Sequence, residues 1–345
     1  MRNPVLLIPA LILVLSLLFF LRKPALEEIL QENRDALVMN LNLPASDAQV
    51  QALAKLMSSL SQAGLYAEGQ SVTRPSSSVA AQLFGTLQEF ESRPLHESFR
   101  LGVHYGLSLK TEFPYLLLNK ASDLLTTLSL ESSAPPKAAA QAAHVLLHFS
   151  ILAEHQSPGV RGLIQGQALT KKAVMLMHEA YLREKIDAPS ARFLSQDLTT
   201  RLQLATPLAA VLKDEALEAA SLLLKAWEEY PFSMWRMSDG HSGLLESLQG
   251  FREGRLNEVK HPVLSAALPD LEKAEESRTE IFLLLELMQK ELESMTEPKR
   301  LKTALPWVIR FDGAKPVFGY QMEGKEAVFI PRTVPEVALL AQTPR

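Results

Sequence analysis

Residues 137–185 read KAAAQAAHVLLHFSILAEHQSPGVRGLIQGQALTKKAVMLMHEAYLREK. Alanine, leucine and other helix formers dominate the run, and its one break is the Pro158-Gly159 pair. The pattern predicts an Ala/Leu-rich helix over 137–156 and a second over about 160–185. A turn this short obliges two long helices to pack antiparallel. Gly159, Gly162 and Gly166 fall at i, i+3 and i+7 and leave one helix face without side chains. Close approach of a neighbouring helix is the expected reason, because glycine in a helix costs about 1 kcal/mol relative to alanine and needs an offset.

Helices punctuated by proline extend outward from this hairpin. Before it, Phe113-Pro114 opens a helix through Leu124, Leu125 and Leu128, and 132–136 (SSAPP) ends it. After it, Ala188-Pro189-Ser190 starts a helix to Leu204, and Thr206-Pro207 starts another that Pro231 stops after Tyr230. Residues 232–260 hold four glycines and read as an irregular connection with a short helix near 244–248. Residues 267–295 return to helix, with Leu271, Ala274, Ile281, Leu284, Leu285, Met288 and Leu292 on one stripe and many glutamates expected to face water. Upstream, Val79–Phe90 is a helix before Pro94, and Val50, Leu53, Leu56, Met57 and Leu60 mark a short one. No fixed repeat length emerges, so the array reads as solenoid-like or as an irregular bundle.

Both ends differ from this body. Pro4–Leu21, PVLLIPALILVLSLLFFL, carries no charge and one hydroxyl, Ser16. As a helix it covers about 27 Å, close to the roughly 30 Å of bilayer hydrocarbon. It runs into Arg22-Lys23-Pro24 without a small-residue cleavage site, so it reads as a retained transmembrane anchor rather than a cleaved signal. Flanking charges conflict: Arg22, Lys23 and Arg34 favour a cytoplasmic body, whereas the three-residue tail ahead of the run has the layout of an uncleaved export signal. The second is preferred, which puts the body outside the cytoplasm. At the other end, Trp307–Phe311, Pro316–Met322 and Ala327–Ile330 are short β-prone runs separated by the turn sequences DGAK and EGKE. A small antiparallel meander is expected, resting on the helices because three strands alone are marginal. The division is an anchor (1–23), a juxtamembrane helical segment (24–94), a helical body (95–304), a β-meander (305–331) and a loose tail (332–345).

Composition narrows the chemistry. A chain 47% hydrophobic and 21% charged is globular. Its 35 basic and 39 acidic residues leave a net charge of −4, with no basic field to draw nucleic acid. The absence of cysteine excludes disulfides, thiolate catalysis and thiolate metal sites. No dinucleotide fingerprint, phosphate loop or calcium loop is present, so no cofactor is expected. Gly240-His241-Ser242-Gly243 lacks the spacing of a nucleophile elbow, and adjacent acids such as Asp214-Glu215 and Glu275-Glu276 point about 100° apart, so no catalytic residues are assigned.

One constellation stands out. His144, His148 and His155, at offsets of 4 and 11, lie within about 40° of one another on a helix. His144 and His148 can share a metal ion; His155 stands two turns further on, and no glutamate completes an H-E-x-x-H pattern. His178-Glu179, near the end of the following helix, is a candidate to approach the same face across the hairpin. The competing reading is a packed histidine face.

Between Ala139 and Leu224, Leu163-Ile164-Gln165, Ala168-Leu169, Ala173, Ala180–Leu182, Phe193-Leu194 to Leu202, Pro207-Leu208-Ala209 and Leu212-Lys213 with Glu215 and Ala216 carry a likeness. With the Asp312–Pro316 turn, this stretch resembles a group of membrane-anchored helical proteins of planctomycete-type bacteria, whose function is uncharacterised. The turn signals around Asp312 are weaker here than in that group. The resemblance implies one N-terminal anchor, a helical body and a short C-terminal segment, and transfers no activity or site. The expectation is a membrane-tethered helical interaction or structural module with an unidentified protein partner. The alternative is a metal-binding protein or hydrolytic enzyme using His144 and His148.

Overall fold

The computed structural model describes residues 77–91, 115–156, 159–206, 268–296, 306–322 and 325–331, with the isolated residues 14, 16, 95, 211, 246, 250 and 255. The Pro4–Leu21 run, apart from Val14 and Ser16, lies outside them, as do the helices expected over 50–60 and 207–230. Most of the 232–260 connection and the tail from 332 lie outside them as well. Among the described residues no helix is long and apolar enough to cross a membrane.

The described elements are α1 (Ser77–Glu91), α2 (Tyr115–Leu130), α3 (Ala138–Gln156), α4 (Gly159–Leu182), α5 (Ala188–Gln203), α6 (Leu268–Thr296), β1 (Trp307–Asp312), β2 (Lys315–Tyr320) and β3 (Val328–Phe329). The protein is mainly helical, with a small C-terminal antiparallel sheet. The α3–α4 hairpin is its centre. Every residue from Ala138 to Glu154 is buried, because α1, α2, α4 and α5 all pack on α3. Burial on all sides suits a helix made of alanine, leucine and phenylalanine, each fully buried Leu or Phe contributing about 1.5–3 kcal/mol. It also means that any polar group on α3 must find its partner inside the protein.

Hairpin packing is antiparallel: Gly166 lies against Ser150, each eight residues from position 158. The approach is close. A Cβ on Gly166 would stand 2.3 Å from Glu154 Cγ and 2.7 Å from the Ser150 carbonyl oxygen. This is the contact the missing side chain was expected to permit.

α6 returns alongside α4 and runs parallel to it. Gln167 Nε2 donates to the Ala274 carbonyl at 3.1 Å, Lys171 Nζ meets Glu280 Oε1 at 2.7 Å, and His178 Nδ1 lies 2.6 Å from Glu291 Oε2. Each contact advances along both helices. The stripe read in the sequence is inward: Ala274, Ile281, Leu284, Leu285, Met288 and Leu292 are buried. Among the described residues the expected solvated acidic face has one exception, since Glu291 is fully buried against α4. Leu83 and Leu87 of α1 belong to the same core, so this helix packs with the body although its sequence position falls in the 24–94 segment.

The sheet has the order β1-β2-β3. β1 and β2 form a hairpin with Trp307 opposite Tyr320 and Asp312 opposite Lys315. Its two-residue loop begins with Gly313 at φ +61°, a conformation open to glycine at no steric penalty and suited to the twist of the strands. β2 rests on α6, with Val317 and Phe318 buried. The hydroxyl of Tyr181 on α4 donates to the Pro316 carbonyl at 3.0 Å, and Lys315 Nζ donates to the Tyr181 and Leu182 carbonyls at the end of α4.

Candidate functional site

Among the described residues, two polar clusters occupy the interior, and both are built on the α3–α4 hairpin. The first lies between α3 and α5. α5 starts where proline is tolerated, with Pro189 in its first turn and the Asp187 carboxylate accepting the Ser190 N–H at 2.8 Å. Hydrogen bonding from the Ser190 side chain, with this backbone bond second, holds the Asp187 carboxyl below its usual range. The helix then puts Leu194, Asp197, Leu198 and Arg201 on one buried face, at i, i+3, i+4 and i+7. Two of these four positions carry charge, and α3 meets both.

His144 Nδ1 lies 2.6 Å from Asp197 Oδ2, and His148 Nε2 lies 3.1 Å from His144 Nε2. The rings meet edge to face at 4.5 Å, and Phe193 packs on His144. With His144 donating from Nδ1 to the carboxylate, its Nε2 accepts the N–H of His148. Burial pushes the Asp197 carboxyl up from the ordinary carboxylate range, partly opposed by its hydrogen bond and attraction to His144. One turn along, Arg201 closes a second knot. Its Nε donates to Ser150 Oγ at 3.0 Å and Thr170 Oγ1 at 3.2 Å, and its guanidinium pairs with Glu154 Oε1. The other Glu154 oxygen accepts from Thr206 Oγ1 at 3.3 Å. Arg201 and Glu154 are each 2% exposed at the side chain, so the pair is desolvated.

The second cluster lies between α4 and α6, beneath the sheet. His178 pairs with Glu291, and Tyr181 one turn on reaches both Ser294 Oγ, at 3.4 Å, and the sheet. His178 therefore does not join His144 and His148, correcting the expectation that it approaches them across the hairpin. The reason is helical: Gln167, Lys171 and His178, at offsets of 4 and 11, share the α6 side of α4, whereas Gly166 and Thr170 face α3 and α5.

The structure thus brings His144 and His148 together, as their spacing required. What it adds is that the two Nε2 atoms are hydrogen-bonded to each other and that Asp197 orients His144. Among the described residues no group of three or more His, Asp or Glu side chains is placed to hold a metal ion. The His144–Asp197 pair also resembles the base and orienting acid of a hydrolase, but the position a nucleophile would take at His144 Nε2 is filled by His148. Asp197, Arg201, Glu154 and Glu291 escaped sequence reasoning. Their signal was charge at positions of an apolar stripe: Asp197 and Arg201 within the Leu194–Leu198 face, and Glu154 as the one acid of α3.

Fold and clusters together define a class: a helical bundle wrapped on one buried helix, carrying a three-stranded sheet and held by interior ion pairs. Compared with protein-family models, curated proteins and solved structures, the chain matches none.

Proposed function

We propose that the chain is a helical scaffold tethered to a membrane by residues 4–21, whose body is an interaction module for protein partners in a bacterial envelope. What supports this reading is how the interior chemistry is used. Among the described residues, the buried groups capable of acid–base or metal chemistry, including His144, His148, Asp197, Glu154, Arg201, His178 and Glu291, lie between helices and are engaged with one another. Recognition then falls to the outer surface of the bundle. The uncharged run at 4–21 supplies the tether.

Fractionation tests the tether. Two arginines at the centre of the run, Leu13→Arg and Leu17→Arg together, would oppose insertion by roughly 2.5–3.5 kcal/mol each. The unaltered chain is expected in the membrane pellet and the doubly substituted chain in the supernatant; equal pelleting of both would defeat the reading.

A second reading, metal binding at His144 and His148, rests on the convergence of their Nε2 atoms at 3.1 Å with Asp197 orienting one ring. Calorimetric titration of the full chain with Zn2+ separates the two. A scaffold gives the same heats before and after a His144→Ala/His148→Ala change; stoichiometric uptake abolished by that change would establish the metal site instead.

A further inference from the structure

The sheet covers a buried acid–base pair. His178 and Glu291 are 1% and 0% exposed, and their remaining polar atoms, His178 Nε2 and Glu291 Oε1, have no hydrogen-bond partner among the described residues. An imidazole and a carboxyl joined by one shared proton are neutral overall, whichever of them carries it. Without that proton the pair holds a net negative charge in a place that water does not reach. Opening the site to water is the relief available.

The groups around the carboxyl can be named by element. α4 contributes His178 and the Tyr181 hydroxyl, which burial keeps protonated and donating to Pro316. α6 contributes Ser294, whose hydroxyl donates to the Glu291 carbonyl at 2.6 Å. The sheet contributes the Phe318 main chain and the charge of Arg310, while Lys315 binds the end of α4. These sheet groups and His178 favour the ionised carboxyl, yet burial outweighs them and pushes Glu291 up from the usual range.

We propose that the C-terminal sheet is a latch whose seating on α4 and α6 is governed by the protonation state of the His178–Glu291 pair. The seated sheet keeps the site dry and holds the proton; a lifted sheet lets water solvate the ionised carboxyl. The sign follows. A carboxyl whose proton is bound more tightly in the seated state favours seating fully below the ordinary carboxylate range, and that contribution is lost as pH rises through the raised value. The latch loosens on the alkaline side.

Hydrogen exchange of the full chain, expressed as protection factors so that the intrinsic effect of pH divides out, provides the test. Protection across 307–320 is expected to fall by up to about tenfold per pH unit over the titration, the limit for one linked proton, while protection of α3 stays level. Glu291→Gln has no proton to lose, so its sheet should show no such fall. A level profile in the unaltered chain, or the same fall in Glu291→Gln, overturns the proposal. If Glu291→Gln does not fold, Tyr181→Phe decides: it removes the clamp on Pro316 and leaves the pair intact, so protection across 307–320 should be lower at every pH while keeping the same fall per pH unit. Unlowered protection there, or a fall that spreads equally to α3, overturns the latch.

Discussion

Arg201→Met is expected to destabilise the protein by about 3–5 kcal/mol, because it leaves the Glu154 carboxylate buried without its cation. The loss has several parts. Ser150 and Thr170 each lose a charged donor, and Glu154 keeps only its contacts to Thr206. None of these groups reaches water, since α3 is enclosed and α4 and α5 close over the site. Replacing both partners by apolar residues, Arg201→Met with Glu154→Leu, should restore most of the stability. Ser150 and Thr170 would still donate to the Leu147 and Gly166 carbonyls within their own helices. Urea unfolding of the single and double variants measures the difference. A single variant within about 1 kcal/mol of the parent would mean that water reaches the pair after all.

That the double change should be tolerated raises the question of what the pair is for. Leucine and alanine pack α3 equally well against several neighbours, so apolar burial alone does not choose which face of α5 meets it. The charges do: Arg201 finds its acid and both its hydroxyl acceptors at one rotation of α5, and Asp197 meets His144 at the same rotation. His178 and Glu291 do the same for α6 on α4. The two clusters, on opposite sides of α4, thus match one rotation of α5 and one of α6 to the hairpin.

Most of the architecture was legible because it is local. Helices 138–156 and 159–182 follow from composition and one Pro-Gly break, and the β1–β2 hairpin follows from DGAK between β-prone runs. The inward stripe of α6 follows from a 3.6-residue period. His144 and His148 were legible as neighbours for the same reason. Their partners were not. Asp197 lies 53 residues from His144 and Glu291 lies 113 from His178, and periodicity specifies a face without naming what faces it. Glu291 shows the limit: it sits among glutamates that do face water, and only the return of α6 along α4 distinguishes it.

Gly166 carries a positional requirement that the sequence did announce, and substituting it should cost nearly as much as breaking the ion pair. Gly166→Ala is expected to destabilise by about 3 kcal/mol, the upper end for overpacking, since part of the clash is with backbone. The new Cβ would meet Glu154 Cγ at 2.3 Å and Glu154 Oε1 at 2.9 Å, driving the carboxylate away from Arg201. It would also meet the Ser150 carbonyl at 2.7 Å, and that atom cannot rotate aside. Working the other way, alanine gains about 1 kcal/mol over glycine in a helix, which the clash must exceed. Gly85 isolates that gain. It lies in α1 with nothing within 4 Å of an added Cβ, so Gly85→Ala should stabilise by up to about 1 kcal/mol. Opposite signs for one substitution at two helical glycines, read by thermal or urea unfolding, are the expected result. A neutral Gly166→Ala would mean that α3 and α4 are further apart than the contact with Glu154 requires.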